Sequence, residues 1–77
     1  MEPAPRTWVD ASNLACPLPI VRLALAVKGL ARGERAGVIA TDAAVQTDLP
    51  AWCEATGNAL ISLKEEGTRW LGVVERR

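Results

Sequence analysis

Cys16 stands where a sulfur atom can react, in the run Leu14-Ala15-Cys16-Pro17-Leu18-Pro19-Ile20. Proline is favoured at the first position of a helix, because its fixed φ suits the helix and its missing N–H would go unpaired there. Pro17 therefore reads as the first helical residue, and Cys16 as the cap or its neighbour, at the positive end of a helix dipole. A thiol so placed is expected to have a lowered pKa, and the thiolate is its nucleophilic form. Pro17 and Pro19 stiffen the loop and leave Leu18 and Ile20 to offer a first-turn N–H to the sulfur. The plain alternative is that Cys16 packs, as free cysteines often do; position alone leaves both readings standing. Cys53 lies mid-helix beside Trp52 on an apolar stripe, with nothing nearby to activate it, and reads as a packing residue.

The rest of the composition narrows the chemistry. The chain has 77 residues, two cysteines and no histidine. Without histidine there is no Ser-His or Cys-His nucleophile, and two thiols are too few for an all-cysteine zinc site, so no metal is expected. Nucleotide-binding glycine fingerprints are missing, and no cofactor is expected. No general base is visible near Cys16, which disfavours hydrolysis and acyl transfer. Thiol exchange needs none, because a thiolate attacks sulfur directly. A single thiol with no partner in a Cys-x-x-Cys pair suits holding a sulfur atom better than disulfide turnover.

Nine basic and nine acidic side chains cancel. Arg22, Lys28, Arg32 and Arg35 cluster, but with no net charge they read as a solvated face, and direct nucleic-acid binding is not expected. No apolar run is long enough to span a bilayer, so no membrane partner is expected. Two cysteines without a disulfide framework fit a reducing, cytoplasmic setting.

The elements that must position Cys16 follow from periodicity. Residues 1–6 read as a loose tail before one domain over residues 7–77. Thr7-Trp8-Val9-Asp10 reads as a first strand, and Ala11-Ser12-Asn13 as a polar turn in which Asn13 tolerates a left-handed backbone. From Pro17 to Leu30 the pattern is helical. Leu18, Val21 and Leu25 recur at helical spacing, as do Ile20, Leu23, Val27 and Leu30, together making a wide apolar face. Gly33 suits the turn that follows. Ala36–Ala40 is a continuous apolar run, as expected of an interior strand. Thr47 or Asp48 reads as the cap of a second helix over Leu49–Thr56, with Pro50 in its first turn and Gly57 just past its end. Its stripe is Leu49, Trp52, Cys53 and Thr56. Ala59–Lys64 and Thr68–Glu75 read as a hairpin turning at Glu65-Glu66-Gly67. Which face of the last strand is buried is open, since Leu71 and Val73 oppose Trp70 and Val74. The order β-α-β-α-β-β gives an α/β (α+β) two-layer sandwich, a mixed four-stranded sheet with two helices on one face.

The sequence resembles the TusA/SirA-like family of small sulfur carriers. The resemblance rests on Asp10, then Leu14-Ala15-Cys16-Pro17-Leu18-Pro19 as the family's Cys-Pro-x-Pro motif, then Asp42, Asp48-Leu49-Pro50, Trp52-Cys53 and Gly57-Asn58-Ala59-Leu60. It runs from Trp8 to Glu75 and implies the same sandwich. It implies that Cys16 takes up sulfane sulfur as a persulfide, with Pro17 and Pro19 positioning it, and relays it without independent enzymatic turnover. Its donors would be cysteine desulfurases or rhodanese-like proteins. Its acceptors would serve tRNA thiolation, cofactor biosynthesis, or sulfur oxidation and thiosulfate metabolism. Asn13 replaces a common glycine, and Leu18 stands where some members carry an acid. Asp42 and Asp48 read as structural, a loop acid and a helix cap. The competing reading is a non-catalytic interaction or regulatory module with an incidental cysteine, docking through the apolar surface around Leu18 and Ile20.

Overall fold

The computed structural model describes residues 4–77; of the tail expected over residues 1–6, residues 1–3 lie outside the described residues. The elements are β1 (Thr7–Ala11), α1 (Leu18–Lys28), β2 (Arg35–Ala40), α2 (Val45–Thr56), β3 (Ala59–Glu66) and β4 (Arg69–Glu75). The sheet order is β1-β2-β4-β3, with β1 parallel to β2 and the other pairs antiparallel. The expected mixed four-stranded sandwich is therefore the fold. The apolar run of β2 reflects its place between β1 and β4, where Ala36, Val38 and Ala40 are fully buried.

Strand alternation decides which face of β4 is covered. Val74 is fully buried, Gly72 is buried and Trp70 packs on the core, so Leu71 and Val73 face the opposite, helix-free side. Gly72 lets α2 approach the sheet closely: a Cβ there would stand 2.5 Å from Leu49 Cδ2 and 3.3 Å from Val38 Cγ1. On the other side, the Trp8 indole covers Gly37, its neighbour in the parallel register. The hairpin turn is shorter than expected. Strand pairing continues to Glu66↔Arg69, leaving Gly67-Thr68. Gly67 has φ +64 and Thr68 is not in the positive region, the type II′ pattern.

The wide apolar face of α1 divides in two. Leu23, Val27 and the following Leu30 are buried and Ile20 packs against them, whereas Leu18, Val21 and Leu25 are 46%, 47% and 63% exposed. A helix lying on one sheet buries a single stripe, and the two stripes together are wider than that. The end of α1 is held from far away in sequence. The Arg76 guanidinium donates to the carbonyls of Val27, Lys28 and Leu30, supplying partners that a helix C-terminus lacks.

Helix α2 begins four residues before the expected Leu49. Pro50 thus sits inside the helix rather than in its first turn. Its missing N–H falls opposite the carbonyl of Gln46, an exposed residue that water can serve. Val45, Leu49 and Cys53 form the buried stripe with Trp52 beside it. Thr56 is exposed, and its hydroxyl donates to the Trp52 carbonyl at 2.7 Å.

The close approach at Gly72 makes a direct test of how α2 is seated. Gly72→Ala should destabilise the protein by about 1–3 kcal/mol through overpacking against Leu49 and Val38. Urea unfolding followed by tryptophan fluorescence measures it, and an unchanged midpoint would contradict this packing.

Candidate functional site

Parallel pairing brings the ends of β1 and β2 level, with Ala11 opposite Ala40. The residues just after them, Ser12–Cys16 on one side and Thr41–Asp42 on the other, therefore meet at one edge. Short side chains then hold the loop. The Asp10 carboxylate accepts the Ser12 N–H at 3.0 Å, and the Thr41 hydroxyl accepts the Asn13 N–H at 2.9 Å. Asp42 accepts the Cys16 N–H at Oδ2 and the Ala44 N–H at Oδ1, both at 2.9 Å. One carboxylate thus ties the cysteine loop to the start of α2. Asn13 adopts φ +65, the left-handed backbone anticipated for it. These bonds hold the carboxyls of Asp10 and Asp42 below their usual range. The Ser12 side chain and N–H act on Asp10, and the N–H groups of Ala44 and then Cys16 act on Asp42.

Cys16 is exposed and its thiol is free. The Cys16–Pro17 peptide is cis. Pro17 takes the cap position and α1 begins at Leu18, one residue later than expected, with Pro19 second in the helix and buried. The two N–H groups expected to face the sulfur are spent on backbone carbonyls: Leu18 donates to Ala15 at 2.9 Å and Ile20 to Pro17 at 3.1 Å. The thiol itself donates to Oδ2 of Asp48 at 2.7 Å. Asp48 is therefore not the helix cap. It lies in the first turn of α2, where a negative charge suits the dipole, and its carboxylate reaches across to the sulfur.

The expected lowering of the Cys16 pKa is overturned. The hydrogen bond to Asp48 chiefly raises it, followed by desolvation and by the charges of Asp48 and Asp42. Hydrogen bonding to the neutral form and nearby like charge both disfavour a thiolate. Burial alone pushes the Cys53 thiol up, and Cys53 is packed in the core as expected. Asp48 is the residue that local reading missed as a partner. Its separation from Cys16 is 32 positions, and no local pattern signals the contact.

The surroundings suit a large partner. Cys16 lines neither of two open clefts on the surface. The larger, about 320 Å³, lies at the far ends of the helices beside Val27, Lys28, Trp52 and Arg76. The sulfur stands instead at the head of the exposed Leu18, Val21 and Leu25 stripe. The basic residues are dispersed: Arg22 and Lys28 lie on α1, while Arg35 is in β2 with its Nε 3.1 Å from Glu75. Among the described residues, no group of three or more His, Cys, Asp or Glu could hold a metal, and no helix is long and apolar enough to cross a membrane.

Comparison with known proteins bears on the family and the fold. The family described as Sulfurtransferase TusA matches residues 7–76. The sulfur carrier protein TusA of Allochromatium vinosum is 38% identical over 68 residues, covering 88% of this chain and 90% of its own. The protein of that name from Pseudomonas putida strain W619 is 34% identical over 73 residues, covering 95% and 91%. The crystal structure of a SirA-like protein from Desulfitobacterium hafniense has the same fold, with a TM-score of 0.78 at 20% identity over 90% of this chain and 95% of that one.

The direction of the Cys16 shift is directly measurable. In an NMR titration that resolves the two cysteine Cβ signals, Cys16 should titrate above an ordinary cysteine, and Asp48→Asn should bring it down. A wild-type value at or below the ordinary one would contradict the contact with Asp48.

Proposed function

The chain belongs to the TusA family of sulfurtransferases, and from that premise we propose that it is a sulfur carrier that holds sulfane sulfur as a persulfide on Cys16. The observation that carries this reading is an exposed, free thiol on a loop fixed by Thr41 and Asp42. The relatives at 38% and 34% identity are named as sulfur carriers, which supports it. Pro17 at the cap and Pro19 buried in the first turn fix the direction in which the helix leaves the sulfur.

The carrier works in the cytoplasm between two proteins, with residues 7–77 acting as one domain. A persulfide-bearing donor, either a cysteine desulfurase or a rhodanese-like protein, supplies the sulfur. An acceptor protein in tRNA thiolation, cofactor biosynthesis or sulfur oxidation removes it. The exposed stripe of Leu18, Val21 and Leu25, which runs down α1 from the thiol end, favours a protein surface on the other side of the exchange. A module that merely docks through those residues would not need Cys16, so substitution of the cysteine separates the two readings.

Incubation with a cysteine desulfurase and cysteine, followed by intact mass measurement, tests this. Wild type and Cys53→Ala should each gain the mass of one sulfur atom, and Cys16→Ser none. Absence of the gain in wild type, or its persistence in Cys16→Ser, would defeat the proposal.

A further inference from the structure

We propose that Asp48 is the proton acceptor of Cys16, taking the Sγ proton as Sγ attacks sulfur and supplying a proton to Sγ when Cys16 is released. The proposal rests on the carrier reading and adds a residue in direct contact with the reacting atom. The Sγ–Oδ2 distance of 2.7 Å lies within the reach required of a general base. The chain has no histidine, and among the described residues Asp48 is the one side chain that hydrogen-bonds Sγ. Asp42, the other acid facing the thiol, is occupied by the N–H groups of Ala44 and Cys16. One carboxylate therefore orients the loop and the other meets the proton.

The step balances without oxidant or reductant. In loading, Cys16–SH and a donor R–S–SH become Cys16–S–SH and R–SH. The Sγ–H bond breaks and its proton passes to Asp48. A bond forms between Sγ and the sulfane sulfur, and the donor S–S bond breaks with its electron pair on the donor sulfur. That thiolate then takes the proton from Asp48. In discharge an acceptor thiol attacks the outer sulfur and its proton passes to Asp48; the S–S bond to Cys16 breaks with its electron pair on Sγ, and Asp48 gives that proton to Sγ.

Such an arrangement has a kinetic signature. A thiol paired with an ionised carboxylate carries the same number of protons as a thiolate paired with a carboxylic acid. Its rate of attack is therefore independent of pH wherever the pair holds that one proton. A thiolate acting alone gains about tenfold per pH unit below its pKa. The probe is hydroxyethyl disulfide, a sulfur electrophile with no group that titrates near neutrality, and mixed-disulfide formation on Cys16 is read by intact mass. Wild type should react at a constant rate from about pH 6 to pH 8, and Asp48→Asn at a rate rising about tenfold per unit over the same range. A wild-type rate that climbs through that range, or a flat profile in Asp48→Asn, overturns the proposal. The wild-type measurement needs no variant to fold. Because the disulfide delivers no sulfane sulfur, its outcome is independent of whether persulfide loading succeeds.

Discussion

The parallel pairing of β1 with β2 is the constraint on which the site depends. Its register sets Ala11 beside Ala40, so the chain leaving each strand begins at the same level. Thr41 and Asp42 can then accept N–H groups from Asn13 and Cys16, bonds that bridge 28 and 26 positions. A one-residue slip in this pair would invert the faces of β1 and carry Ala11 off the buried side. Val9 and Ala11 face the core while Trp8 crosses Gly37 on the opposite side, so the alternation resists that slip. The cysteine loop is thus held in place by sheet packing, although its own residues are mostly exposed.

Helix α2 adds the second half of the site. Leu49 seats the helix in the space left by Gly72, and Val45 and Cys53 extend the contact along one stripe. Asp48 precedes Leu49, so burying Leu49 directs the neighbouring carboxylate to the edge where Cys16 lies. Arg76 holds the other end of α1 by its carbonyls. Both ends of α1 are therefore fixed by distant parts of the chain, and the intervening Leu18, Val21 and Leu25 remain open to solvent.

Much of this was legible where the sequence punctuates itself. Asn13, Gly33, Gly57 and Gly67 all adopt positive φ, and each marks a turn that local chemistry anticipates. Cys53 follows from its place on a helical stripe. The misreadings share a different cause. Proline is common in the first turn, and that preference moved the expected start of α2 to Leu49, whereas Pro50 stands deeper in the helix, opposite the exposed residue Gln46. The two stripes of α1 have the same periodicity, and only the sheet decides which is buried. The Cys16–Asp48 contact, like the hold of Arg76 on α1, depends on tertiary placement and leaves no local trace.

The reversal at Cys16 also changes what kind of thiol this is. Reactive cysteines are commonly surrounded by positive potential, which stabilises the thiolate at the cost of nucleophilicity. Here two carboxylates face the sulfur and the helix N–H groups turn elsewhere. In exchange reactions a more basic thiolate attacks more strongly and leaves more slowly. For a carrier, both consequences are useful. Once a persulfide forms, expelling Cys16 as a bare thiolate next to Asp48 and Asp42 is disfavoured. Under the proposed chemistry, sulfur would then be retained until an acceptor is in place and a proton reaches Sγ. On the proposed persulfide, the same pair of acids that raises the pKa of the empty thiol would oppose premature loss of the sulfur.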